Sequence, residues 1–116
     1  MAALLDAETI AGLREDGDEL LIDLIEIFLR EAPERVKMLE DALAANHAPQ
    51  AERMAHTLKS SAAAFGAEAM RSVAQAMESA AQVNDLDQVR SLIGVLKKEV
   101  ASTEEALHAE LAMLTG

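Results

Sequence analysis

Cysteine, tryptophan and tyrosine are absent from this 116-residue sequence, and phenylalanine occurs only twice. Without cysteine the chain can form neither a disulfide framework nor a thiolate metal site. The apolar residues, 51% of the chain, are instead rich in alanine and leucine, which favour helices over strands. Together with the length, this composition predicts one all-α domain over residues 1–116.

Basic side chains are also scarce: ten lysines and arginines stand against 21 acidic residues, which gives a formal net charge of −11. This charge repels nucleic-acid phosphates and anionic lipid surfaces, so we expect neither as a partner.

Long apolar runs are missing too. Asp23 and Glu26 interrupt the stretch from Leu20 to Leu29, so we expect no spanning helix. The N-terminus lacks the basic start and long apolar run of a signal peptide, which favours a cytoplasmic protein.

Apolar residues at three- and four-residue steps predict a short first helix and a much longer second one. Asp6 is expected to cap the first helix, which runs from Ala7 to about Glu15 and ends at Gly17, and Asp18 to cap the second. The core-facing residues predicted for the second helix are Leu21, Leu24, Ile25, Phe28, Ala32, Val36, Leu39 and Leu43. This stripe stays in phase across Pro33, which predicts a kink rather than two helices.

Turn signals divide the rest of the chain into three more helices. Pro49 is expected at the first position of the third helix, which runs to about Phe65 and stops at Gly66. A fourth helix follows almost at once, and Asn84-Asp85 forms the turn before a long fifth helix. Such short links favour antiparallel neighbours, so the sequence predicts an antiparallel up-and-down four-helix bundle with a short extra N-terminal helix.

The third helix carries a histidine on the side opposite its core stripe. At about 100° per residue, Leu58, Ala62 and Phe65 share one side with Met54 and Ala51. His56 shares the other side with Glu52, Lys59, Ser60, Ala63 and Ala67. Its neighbours at the following turns are small side chains and one flexible cation, so a bulky partner could reach the ring. We therefore interpret His56 as an exposed nucleophile.

The segment from His56 to Ala67 resembles the motif of histidine-containing phosphotransfer (HPt) domains, in which a histidine is followed by a hydrophobe, a lysine, small residues and a later glycine. The matching positions are His56, Leu58, Lys59, Ser60, Ser61, Gly66 and Ala67. The family commonly has glycine four residues after the histidine, where this chain has Ser60. The helical layout extends the resemblance over nearly the whole chain.

This resemblance implies a histidine phosphotransfer protein of a two-component phosphorelay. In the family the histidine accepts a phosphoryl group from an aspartyl phosphate on a receiver domain, or from a kinase, and passes it to another receiver. The expected partners are therefore response-regulator receiver domains and a hybrid histidine kinase. The receiver supplies the aspartate and magnesium, so we expect a monomeric carrier without an ATP site, cofactor or metal of its own.

Individual roles follow from this interpretation. A neutral imidazole has a free lone pair, so His56 needs no base to act as the phosphoacceptor. The ammonium of Lys59, one turn away, is placed to offset and orient a phosphoryl group. Glu52, one turn earlier, is the candidate partner of the other ring nitrogen. The partner-docking surface is predicted from Glu52 and the small residues near His56, namely Ser60, Ala63, Ala64 and Ala67.

Other interpretations of these residues compete with the phosphorelay. His47 and His108 lack a following lysine and small residues and are interpreted as structural; Met70 and Met77 are interpreted as core residues. A metal-bundle oxidase needs paired Glu-x-x-His sequences, which do not occur. A histidine kinase is disfavoured for two reasons. The sequence lacks the acidic residue and the proline that are expected after the histidine of a kinase. It also lacks a glycine-rich nucleotide site and has no room for an ATP domain.

Two alternatives stay open. One is a phosphorylation-independent helical adaptor, whose binding would not depend on His56. The other is the phosphoacceptor domain of a chemotaxis-type or hybrid histidine kinase, which shares a similar motif. A sequence ending at Gly116 disfavours that second alternative unless the chain is excised from a larger protein.

Overall fold

The computed structural model describes residues 5–116, and this part of the chain contains five α-helices and no strand. The all-α prediction is confirmed. The helices are α1 (Ala7–Arg14), α2 (Asp18–Ala44), α3 (Ala48–Ala64), α4 (Glu68–Gln82) and α5 (Leu86–Thr115). No helix within residues 5–116 combines the length and the apolar character needed to cross a membrane.

The four long helices pack around one core. Helix α3 packs against α2 and α4, α5 packs against α4 and α2, and α1 packs on α2. The largest fully buried side chains are Leu21, Ile25, Leu39, Leu58, Met70, Met77, Val89, Leu96 and Leu107. Phe28 and Phe65 meet edge to face, with ring centroids 5.7 Å apart, and join α2 to the end of α3. The core thus consists mainly of the stripes that the helical periodicity predicts.

The first helix begins as predicted, because Asp6 Oδ2 accepts a hydrogen bond from the Thr9 N–H at 3.1 Å. The predicted cap of α2 is wrong by one residue. Gly17, with φ of +106°, is the N-cap, and Asp18 is the first helical residue, ion-paired with Arg14 at 3.2 Å. A glycine meets this backbone requirement without a Cβ, so the polar residue follows the cap instead of forming it.

Helix α2 passes through Pro33 as one helix of 27 residues, which agrees with the unbroken apolar stripe. The kink itself stays a prediction. Helix α3 begins at Ala48, so Pro49 is its second residue and not its first. Both positions lie in the first turn, where a missing N–H costs no intrahelical bond. His47 is the N-cap of α3, and its Nδ1 accepts the Gln50 N–H at 3.1 Å, which is a structural role.

Each of the links between α2, α3, α4 and α5 is three residues long, and each uses a residue with positive φ. These are Asn46 (52°), Gly66 (65°) and Asn84 (59°). At the end of α3, the Ala67 N–H bonds to the Ala62 carbonyl and the Gly66 N–H to the Ala63 carbonyl, the pair of bonds that defines a Schellman motif. The helices are therefore reversed by short turns that satisfy their own backbone.

Gly66 meets a second requirement besides its positive φ. The Asp6 N–H donates to the Phe65 carbonyl at 3.2 Å, which brings the start of α1 onto the turn between α3 and α4. A Cβ on Gly66 would overlap Asp6 Cβ. The glycine thus closes α3 and at the same time lets the N-terminal segment pack against its end.

Candidate functional site

His56 lies in the middle of α3 and faces outward, with 58% of its side-chain surface exposed. The neighbouring Ala55 and Leu58 are fully buried and hold this part of α3 against the core. The outward direction agrees with the helical spacing. The imidazole is therefore fixed on a packed helix while most of its surface meets solvent.

One ring nitrogen of His56 has a partner on the next helix. Nδ1 lies 2.8 Å from Glu78 Oε2 in α4. The Glu78 side chain is only 9% exposed. A carboxylate can only accept hydrogen bonds, so Nδ1 carries the hydrogen and donates it. The neutral imidazole then has its lone pair on Nε2, at the far edge of the ring.

The second oxygen of Glu78 binds Lys59. Lys59 Nζ lies 2.6 Å from Glu78 Oε1 and donates to Gln75 Oε1 at 3.2 Å. Within residues 5–116, this ammonium is the only polar partner of the buried Oε1. One carboxylate therefore holds both the ring and the cation that the sequence places one turn apart.

The pKa of the Glu78 carboxyl is lowered from its ordinary value of 4.5. The largest cause is the contact with Lys59, and the hydrogen bond from His56 acts in the same direction. Burial alone would raise this pKa, but the two partners outweigh it. Glu78 is thus ionised at neutral pH and places a negative charge beside Nδ1.

The predicted contact between Glu52 and the ring is wrong. Glu52 Oε2 instead accepts a hydrogen bond from Gln82 of α4 at 3.4 Å, and Glu78 takes the place beside Nδ1. Glu52 is one turn from His56 along the same helix, whereas Nδ1 points across to α4. A contact between helices therefore replaces the local contact that spacing within α3 favours.

Glu78 is the functional residue that sequence reasoning missed. It belongs to a polar row on α4 that flanks the core stripe, with Gln75 and Gln82 at helical spacing on either side. This row could have been recognised from α4 alone. Its pairing with His56 depends on the relative register of α3 and α4, which the turn at Gly66 sets.

The predicted docking residues divide into two groups. Ser60, Ala63 and Ala64 are exposed on α3, as the helical spacing requires, and Glu52 is partly exposed. Ala67 is 1% exposed, so its predicted place on the surface is wrong. The prediction extended the helical strip beyond Gly66, but α3 ends at Ala64 and the Schellman turn directs Ala67 into the core.

Among the concave surfaces of residues 5–116, one contains His56 and another lies beside the small residues that follow it on α3. An open cleft of about 550 Å³ contains His56 and Glu78 and is otherwise lined by Pro49, Glu52 and Arg53. A smaller apolar groove of about 170 Å³ lies between α2 and α3, beside Ser61 and Ala64. Its α2 wall is formed by Leu24, Ile27, Phe28, Glu31 and Ala32. The ring thus opens into a cleft that charged side chains line, and an apolar groove lies further along α3.

No group of three or more histidine, aspartate or glutamate side chains is arranged to hold a metal ion in residues 5–116. His47 and His108 both lie away from the His56 cleft. The arrangement that the structure does provide is one exposed imidazole, oriented by a buried carboxylate, with a lysine on the same carboxylate.

Comparison with known protein families identifies the family to which a chain with this site belongs. The family model described as Hpt domain matches residues 23–111, which include all of α3 and α4 and the site on them. The chain belongs to the Hpt family. The resemblance stated from the His56 motif is confirmed, and so is the predicted function of histidine phosphotransfer in a phosphorelay. Members of this Hpt family carry phosphoryl groups and interact with receiver domains and kinases.

Individual Hpt relatives agree in sequence and in structure. The chain is 34% identical over 97 residues to the phosphorelay protein LuxU of Vibrio vulnificus strains YJ016 and CMCP6, which covers 82% of this chain and 84% of LuxU. The crystal structure of histidine-containing phosphotransfer protein B (HptB) from Pseudomonas aeruginosa PAO1 superposes with a TM-score of 0.91. That match has 25% identity and covers 97% of this chain and 98% of HptB.

Proposed function

We propose that His56 is the phosphoacceptor of this Hpt protein, and that it receives a phosphoryl group from an aspartyl phosphate of one receiver domain and delivers it to the aspartate of another. The observation that carries this proposal is the exposed His56 ring with its Nδ1 bonded to the buried Glu78. A nucleophile needs a free lone pair, a fixed direction and access from solvent. The ring meets all three conditions.

The attacking atom in this proposal is Nε2. Glu78 accepts the hydrogen on Nδ1, which leaves the lone pair on Nε2. In the transfer step this lone pair forms the N–P bond while the P–O bond of the aspartyl phosphate breaks, and the aspartate leaves as a carboxylate. The ionised Glu78 stabilises the positive charge that develops on the ring. Return transfer to a receiver reverses the same bonds.

Lys59 orients the phosphoryl group. In the unphosphorylated protein its ammonium is held by Glu78, 2.6 Å away, and by Gln75. A phosphoryl group carries up to two negative charges and can draw the ammonium away from a carboxylate with one. Because the lysine stem is flexible and begins one turn from His56, the ammonium can move toward the group while its backbone stays in place.

The receiver docks on the exposed small residues of α3 in this proposal. Ser60, Ala63 and Ala64 let a partner approach the helix closely, and the apolar groove against α2 continues this surface. Ala67 has no part in it, because it is buried. Glu52 lies at the edge of the His56 cleft and contributes a charge at the rim of the docking surface.

We further infer that α2 to α5 form an antiparallel up-and-down bundle with α1 as the extra helix. The three-residue links support this arrangement, since short links are typical of neighbouring antiparallel helices in a bundle. The polar partners of α3 and α4 also pair in opposite order: Glu52 with Gln82, and Lys59 with Gln75.

The remaining parts of the proposal concern partners and location. The protein works as a monomeric carrier in the cytoplasm, with no ATP site and no cofactor of its own. The receiver brings the magnesium that supports transfer. The net charge of −11 supports the absence of nucleic-acid and membrane partners, because it repels polyanions and anionic lipid surfaces.

The test is transfer of labelled phosphate from a phosphorylated receiver domain to the protein, followed over time. His56→Gln should abolish labelling of the protein. His108→Gln is the matched control, because it removes another exposed histidine, on α5, and should leave labelling unchanged. Equal labelling of wild type and His56→Gln would contradict the proposal. Receiver binding without any labelling would instead support the adaptor function.

A further inference from the structure

Arg53 is the one arginine within residues 5–116 that has no carboxylate partner. The other five each lie within 3.8 Å of an aspartate or glutamate oxygen; these are Arg14, Arg30, Arg35, Arg71 and Arg90. Arg53 donates only to the amide oxygen of Gln50. In a chain with 21 acidic residues, an arginine that pairs only with a neutral group has its charge available to an external anion.

The position of Arg53 relates it directly to His56. It lies three residues before the histidine and lines the same open cleft of about 550 Å³. On an α-helix, residues three before and three after a given position lie about 60° to either side of it. Lys59 occupies the side toward α4, where Glu78 holds it. Arg53 therefore occupies the opposite side of the ring.

The orientation of the His56 ring directs its nucleophilic nitrogen, Nε2, toward the side of the ring on which Arg53 lies. Nδ1 faces α4 through its bond to Glu78, so Nε2 faces away from α4. A phosphoryl group on Nε2 would project into the cleft that Arg53 lines. The planar guanidinium presents paired N–H donors whose spacing matches two phosphoryl oxygens. An amide partner such as Gln50 is readily exchanged for a dianion, because it carries no charge.

We propose that Arg53 is a phosphoryl-binding residue that holds the group on Nε2 of His56 from the side opposite Lys59. This inference rests on the proposed function, since it needs His56 to be phosphorylated. The two cations then flank the phosphoryl group, with Lys59 moving from Glu78 and Arg53 moving from Gln50. Arg53 also attracts the anionic phosphodonor into the cleft before the reaction.

The experiment uses phosphoramidate, a small phosphodonor that needs no partner protein. Isotopically labelled phosphoramidate serves for the rate measurement, and the unlabelled compound serves for NMR. Nε2 attacks phosphorus, the P–N bond to the ammonia group breaks, and ammonia leaves. Arg53→Ala should slow this phosphorylation about fivefold, the loss expected for one exposed charge contact. In a ³¹P NMR titration of the phosphorylated protein, the same variant should raise the pKa of the phosphoryl group, because its dianion loses a cation.

Two further variants distinguish the effect of the Arg53 guanidinium from the effect of any positive charge on the protein. Arg53→Lys keeps the charge without the paired donors and should fall between wild type and Arg53→Ala. Arg30→Ala removes an equally charged, exposed arginine, on α2, and should leave both the rate and the titration unchanged. Far-UV circular dichroism and urea unfolding should be the same for all three variants, since both arginines are on the surface.

The outcomes distinguish the two proposals. A titration of Arg53→Ala equal to that of wild type overturns the role of Arg53, as does an equal effect of Arg30→Ala, and neither result affects His56. Labelling of His56→Gln at the wild-type rate overturns the proposed function and the role of Arg53 together. If Arg53→Ala raises the phosphoryl pKa while Arg30→Ala does not, and His56→Gln takes up no label, the results support both the proposed function and the role of Arg53.

Discussion

Glu78 Oε1 and Lys59 Nζ form an ion pair of 2.6 Å in which the carboxylate is almost completely buried and the lysine is 24% exposed. The same carboxylate accepts the Nδ1 hydrogen of His56 through its other oxygen. The charge of Glu78 therefore acts on the nucleophile and on the cation at once. A change at Glu78 should alter both orientation and charge at the site.

Glu78→Gln should slow phosphoryl transfer about fivefold. The glutamine amide oxygen can still accept from Nδ1, but a neutral bond is about half as strong as a charge-assisted one, and Lys59 loses its ion-pair partner. Single-turnover transfer from a phosphorylated receiver measures the change. Glu105→Gln, which removes an exposed charge on α5, is the matched control and should transfer at the wild-type rate. A wild-type rate for Glu78→Gln would show that the carboxylate has no influence on the nucleophile.

The free energy of unfolding should depend on pH through Glu78. Its pKa in the folded protein lies below 4.5, chiefly because of Lys59, so the unfolded chain binds the proton more readily. The stabilisation is therefore complete above about pH 4.5 and is lost as the pH falls through the lowered folded-state pKa. Urea unfolding between pH 3 and 6 should show a smaller loss for Glu78→Gln than for wild type. Parallel curves for the two proteins would argue against this linkage.

Gly66→Ala should destabilise the protein by about 2–4 kcal/mol, because it combines a left-handed backbone with a steric overlap in a packed turn. The φ of +65° disfavours any Cβ, and this Cβ would meet Asp6. Gly94→Ala is a suitable comparison, since Gly94 lies inside α5 with open space around it and should gain up to about 1 kcal/mol in helix propensity. Urea unfolding midpoints measure both effects. Equal effects of the two substitutions would contradict the role assigned to the turn.

Large side chains on the exposed strip of α3 should impede transfer without unfolding the protein. Ser60→Arg and Ala63→Arg each place a bulky charged group on the proposed docking surface, and we expect transfer efficiency to fall about tenfold, as for a disrupted interface centre. Ala101→Arg adds the same side chain to the exposed surface of α5 and serves as the control. Circular dichroism should show unchanged helicity. Normal transfer by both α3 variants would place docking elsewhere.

Local patterns in the sequence account for most of the fold. Asp6 caps α1, Gly66 ends α3, and the apolar periodicity identifies the buried stripes, because each depends on residues within one or two turns. The direction of His56 follows from the same periodicity. Gly17 shows the limit of this approach, since Asp18 has the better capping side chain but the backbone conformation needs the glycine.

Only the part of the site that lies within one helix can be predicted from the sequence. His56 and Lys59 are one turn apart, so the sequence alone relates them, but Glu78 reaches them across the α3–α4 interface. Its position depends on where α4 begins after the turn and on how the two helices are rotated. The predicted exposure of Ala67 is wrong for a different reason, because helical spacing does not continue through a residue with positive φ such as Gly66.

The turn at Gly66 has a consequence for how the reactive centre assembles. His56 and Glu78 are 22 positions apart along the chain and belong to a single helical hairpin. Closing so short a loop costs little entropy, so the nucleophile and its carboxylate can meet as soon as this hairpin forms. The reactive unit is thereby contained in α3, α4 and the turn between them, since His56, Lys59, Gln75 and Glu78 all lie on these two helices.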